Sequence, residues 1–156
     1  MTPEEAIAKV RKAFERIPRP DLFIRGTCTC DECMEHNETL ASHTPDTITL
    51  KELGNAGWDP ICFASDSAFA YYLPAMLRLA VADPSYLDQL LFHCSIPDRL
   101  DALDQEQAKC VLEVLWALTD QNSDLIAGTP AILQLEQAMR TLEQKIGSKG
   151  SSADSA

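Results

Sequence analysis

Long apolar runs, concentrated positive charge and the sequence signatures of the common nucleotide and hydrolase enzymes are all missing from this chain, and each absence excludes a class of function. The longest apolar stretch, Phe69 to Ala82, is interrupted by Pro74 and Arg78, so it falls short of the roughly 20 apolar residues that a membrane-crossing helix needs. The first residues, MTPEEAIAKV, put acids ahead of apolar side chains, the reverse of a secretory leader. Both features predict a cytoplasmic protein that does not associate with membranes. No Gly-rich phosphate loop, nucleophile elbow or His-Glu-x-x-His helix occurs, and no internal repeat is visible, which sets aside several large enzyme classes and the solenoid folds.

Basic charge is scarce as well. Thirteen Lys and Arg face 24 Asp and Glu, a formal net charge of −11. A field of that sign repels phosphate backbones and anionic lipid, so nucleic acid is not expected as a partner. The densest basic group, Lys9, Arg11, Lys12 and Arg16, surrounds Glu15 and reads as a solvated helix face.

What the chain does hold is enough for one domain. With 156 residues, 46% of them hydrophobic, it can bury about two-thirds of its unfolded surface and needs no metal to fold. Helical periodicity runs almost throughout. Thr2, Pro3 and Glu5 form a capped start ahead of Ile7, Val10, Phe14 and Ile17, which are spaced by threes and fours. Helix one is expected to end before Pro18. An extended piece over 21–29 leads to a polar helix from Asp31 to about Ser42, and a short capped helix begins at Thr49 with Glu52. Residues 54–64, GNAGWDPICFA, read as an irregular loop. The segment SDSAFAYYLPAMLRLAVA is apolar on nearly all sides, which marks a central helix. Pro74 within it predicts a kink or a restart. Further starts fall at Asp83, Asp104 and Thr129, and Ile132, Leu135, Met139, Leu142 and Ile146 make a seam suited to packing along one neighbour. Together these features predict an all-α fold, a single compact domain of about six helices spanning 1–146 with an irregular Gly/Asn/Trp loop. Residues 147–156, GSKGSSADSA, lack an apolar anchor and are expected to be disordered.

Six cysteines are present, and Cys28, Cys30, Cys33 and His36 crowd into the nine residues CTCDECMEH. Thiolate and imidazole are the donors that Zn²⁺ and softer metals prefer, and in a reducing compartment clustered cysteines bind metal or do redox work more often than they form structural disulfides. Cys28 and Cys30 lie two apart in an extended segment and Cys33 and His36 three apart on a helix, so all four can meet at the helix start. The amides of that first turn favour thiolate at Cys30 and Cys33, while Asp31 and Glu32 oppose it. Four ligands in nine residues is a tight wrap, and His43, Cys62, His93 or Cys94 is a candidate to replace one of them. His93, near the end of its helix, is equally comfortable as a free cation. Two other readings compete: a reversible dithiol, and a buried stripe of Cys33, His36 and Leu40 packing as small hydrophobes. Cys110, beside Val111 and Leu112, reads as core.

These residues leave two functions open. The first is a non-enzymatic binding or adaptor domain with a zinc site, its acidic surface and last-helix seam meeting a protein partner or a second copy. The second is a thiol redox or metal-dependent enzyme using Cys30, Cys33 and His36. The run CFASDSAFAYYLPAMLRLA, with DECMEHNETL and the LGNAGWDP loop before it, resembles a widespread bacterial family of uncharacterised small helical proteins over about residues 5–95. The resemblance implies a bacterial, cytosolic, mainly helical domain with no assigned activity. It implies structural roles for Phe63, Phe69, Tyr71, Tyr72, Leu73 and Pro74, and a cluster of Cys28, Cys30 and His36 particular to a subgroup.

Overall fold

A computed structural model describes residues 1–148. Eight helices form among them: α1 (Pro3–Phe14), α2 (Asp31–Ala41), α3 (Leu50–Leu53), α4 (Asp66–Ala82), α5 (Leu87–Ser95), α6 (Gln105–Gln121), α7 (Ser123–Ile126) and α8 (Ala131–Gly147). Six of them run nine residues or longer, in agreement with the expected all-α fold. The described residues include no strand beyond one isolated antiparallel bridge, Ile24 with Ala64. None of the helices is long and apolar enough to cross a membrane.

Side-chain caps set where the helices begin. Thr2 with Glu5, Thr49 with Glu52 and Asp104 with Gln107 form reciprocal capping boxes on α1, α3 and α6, each satisfying amides that the helix itself leaves unpaired. Ser65 accepts from the Ala68 amide at the start of α4. At α8 Pro130 occupies the cap position, and Thr129 Oγ1 accepts from the Ala131 amide at 3.3 Å.

Helix α4 is the centre of the molecule. Eleven of its seventeen residues are buried, from Ala68 to Ala80, because α1, α5 and α6 all pack against it. At about 1.5–3 kcal/mol for each large apolar side chain removed from water, Phe69, Leu73, Met76 and Leu77, all without exposure, dominate the core. The restart expected at Pro74 does not occur, for α4 runs through it as one helix. Only the Ala70 carbonyl, four residues back, loses an amide partner there.

Helix α1 ends before Pro18 as expected, stopping at Phe14 with Ile17 packed beyond it on a turn. Two other readings shift. Residues 54–64 are more regular than expected, with tight helical turns at Ala56–Trp58 and Pro60–Cys62. The α8 seam lies against both α5 and α6, with Ala131 and Ala138 buried beside Leu135, Met139 and Leu142 while Ile132 faces outward. Its buried side chains are taken up within the chain, while Ile132 and Leu133 stay exposed. Helix α8 also extends through Gly147, and the rest of the expected disordered tail, 149–156, lies outside the described residues.

Candidate metal centre

The cysteine cluster is positioned by the extended piece before α2. Phe23 is buried, and on either side of it the chain pairs with 63–65: Ser65 N donates to Phe23 O at 2.8 Å, Arg25 N to Phe63 O at 2.8 Å, and Ser65 Oγ to Leu22 O at 2.9 Å. Gly26 then takes a φ of 72°, a left-handed conformation that glycine adopts without steric cost, and the chain turns away from the bridge toward Cys28. Helix α2 begins directly after Cys30, which holds the extended backbone of a cap but makes no side-chain cap bond. The far end of α2 is clamped. Arg19 donates to Ala41 O at 2.5 Å and His43 O at 3.1 Å, and the Tyr72 hydroxyl lies against Leu40 O and His43 O. These bonds satisfy carbonyls that the last turn leaves without amide partners and fix α2 onto α4.

Three of the four expected donors converge. Cys28, Cys30 and Cys33 bring their sulfurs within 4.8 Å of one another, and Cys28 Sγ lies 3.3 Å from Cys30 Sγ. Cys28 and Cys30 are exposed, while Cys33 forms the buried floor. The ionisation pattern differs from the expected one. The Cys30 amide, followed by the Cys33 and Cys30 thiols, donates to the Cys28 sulfur and lowers its pKa. Cys33 is pushed up to about 12, because its proton is held by Cys28 and Cys30 and because it is buried. The readily ionised thiol is therefore Cys28, and Cys33 is the proton donor of the group.

His36 does not join them. It is 1% exposed, its ring stacked on Phe63 at 4.4 Å and tilted against Trp58 at 4.7 Å. Its Nε2 has no hydrogen-bond partner, with Glu32 Oε1 3.8 Å away. Cys33, His36 and Leu40 are the buried residues of α2, the stripe that helical spacing allows, so His36 serves there as an aromatic plank between α2 and the Trp58 turn. The remote candidates are elsewhere too. His43 Nδ1 donates to Thr39 O at 2.8 Å. Cys94 is buried, its thiol pushed up to about 12 by desolvation, and Cys110 is likewise core, pushed up to about 11.

Cys62 and His93 belong to a second group that the sequence reading missed. With Asp59, their donor atoms also lie within 4.8 Å of one another. Asp59 Oδ1 accepts from the Ile61 amide at 2.9 Å, and Oδ2 accepts from Gln89 Nε2 at 2.5 Å and His93 Nε2 at 2.6 Å. His93 is fully buried and paired with Asp59. The Cys62 thiol is raised by burial and by Asp59, against the pull of Arg99 and Arg25, both of which donate to the Cys62 carbonyl. The one sequence signal was Asp59-Pro60 with Cys62 three residues after the acid; the 34 residues separating Asp59 from His93 hid the third donor.

No described protein family, characterised protein or solved structure matches this chain.

Proposed function

We propose that Cys28, Cys30 and Cys33 hold one zinc ion at the start of α2 and that the chain acts as a non-enzymatic binding or adaptor domain. The observation that carries this reading is the convergence of three thiol sulfurs within 4.8 Å, a donor set that selects Zn²⁺ and softer ions. Among the protons a dication displaces is that of Cys33, held by Cys28 and Cys30. Three thiolates overcompensate the charge of Zn²⁺ and blunt its Lewis acidity, whereas catalytic zinc is mostly held by neutral imidazoles. Such an ion fixes a surface or accepts a further ligand better than it activates water. Cys28 and Cys30 face solvent, which leaves the fourth position to a ligand from outside the trio. The resemblance to the bacterial helical family supports a cytosolic setting in which the thiols stay reduced.

A reversible dithiol is the second reading, favoured by the lowered Cys28 thiol and its 3.3 Å approach to Cys30. There Cys28 and a neighbouring thiol would yield two electrons and two protons to an oxidant such as glutathione disulfide. The test is metal content. Cys33→Ser should lose about one equivalent of zinc relative to the unaltered chain and keep its helical circular dichroism. Equal zinc in both proteins, with Cys28 freely alkylated, would leave the dithiol reading in its place.

A further inference from the structure

We infer that Asp59, Cys62 and His93 form a second, buried site for a divalent transition metal, with Zn²⁺ its natural occupant. The inference is independent of the cluster at α2, since no residue is shared. Two elements supply it: Asp59 caps the Pro60–Cys62 turn and Cys62 ends that turn, while His93 comes from α5. Their carboxylate, thiol and imidazole donors lie within 4.8 Å of one another. Tetrahedral zinc with bonds of about 2.0–2.3 Å holds its ligands about 3.3–3.7 Å apart. The Asp59 to His93 contact of 2.6 Å is shorter than that. A metal therefore replaces this hydrogen bond after a movement of about 1 Å.

The surroundings suit a cation once Cys62 is ionised. Carboxylate and thiolate together neutralise a dication, which is how a buried charge becomes tolerable. The amides of Ile61 and Gln89 on Asp59 act as outer-shell partners that aim the carboxylate. Cys62 is the half-buried member and gives the ion its way in.

Cobalt titration of the chain carrying Cys28→Ser, Cys30→Ser and Cys33→Ser tests this apart from the first site. Under a phosphine reductant, about one equivalent of Co²⁺ should bind with the visible bands of tetrahedral coordination and a near-ultraviolet thiolate charge-transfer band. Adding Cys62→Ser should remove that band. Asp59→Asn should weaken binding at least about tenfold, within the range for losing a metal-site partner. If the triple variant keeps its helical signal and binds no Co²⁺, or if the thiolate band survives Cys62→Ser, the inference is wrong. Should Asp59→Asn unfold the chain, the Cys62→Ser comparison still decides it.

Discussion

Cys28 and Cys33 sit in one cluster yet titrate in opposite directions, and the cause is who donates to whom. Cys28 collects the Cys30 amide and two thiol protons, whereas Cys33 gives its proton away from a buried floor. In metal-free protein, alkylation of Cys28 should therefore proceed at pH values below the ordinary thiol range of about 8.5, while Cys33 should stay unreactive until pH approaches about 12. Site-resolved alkylation rates by mass spectrometry across pH check this, and matching midpoints for the two would contradict it. The sign for stability follows. Folding lowers the Cys28 value, so its ionisation favours the fold above the ordinary thiol range, and that contribution fades as pH falls through the lowered value. The helix-start argument from the sequence weighs amides and dipole against Asp31 and Glu32 and has no way to see sulfur-to-sulfur bonding. Spacing likewise put His36 beside Cys33, and they do share a face of α2. Whether a side chain on that face meets its neighbours' sulfurs or slides between Phe63 and Trp58 is decided by a loop two dozen residues away.

Elements were legible where caps and periodicity agree. Thr2, Thr49, Ser65 and Asp104 each make the cap bond their sequence context announces, because such bonds are local. Pro74 argues locally for a kink or a restart, but whether the helix continues is decided by α1, α5 and α6 packed around it, and α4 runs through without a restart. The fixing of α2 was not legible either, depending as it does on Arg19 and Tyr72 reaching carbonyls 22 and 32 residues away. Tyr72 is fully buried, so Tyr72→Phe keeps the packing and strands the Leu40 carbonyl. It should cost about 1–3 kcal/mol, read as a lower midpoint in urea unfolding, with the largest rise in amide exchange at the C-terminal turn of α2. An unchanged midpoint would mean that Arg19 alone holds that end.

At the scale of the whole molecule, most large side chains of the core around α4 come from α1, α4, α5, α6 and α8, with Leu40 on α2 and Ile61 beside Cys62 the members nearest the two cysteine groups. Chelation should then loosen 26–42 while most helical signal survives, unlike a zinc finger that unfolds without its ion. Loss of the far-ultraviolet signal on chelation would make the metal structural for the entire fold. The net charge of −11 predicts no retardation of labelled duplex or single-stranded nucleic acid at physiological salt and low micromolar protein, and a salt-sensitive shift would show a basic surface that the sequence does not reveal.

Zinc content of the Cys62→Ser protein, purified under reducing conditions without chelator, isolates the cluster at α2 from the buried group. About one zinc per chain, with Cys28, Cys30 and Cys33 protected from alkylation until chelator is added, is the result the metal reading requires; well under half an equivalent of any metal, with all three thiols reacting at once, would contradict it.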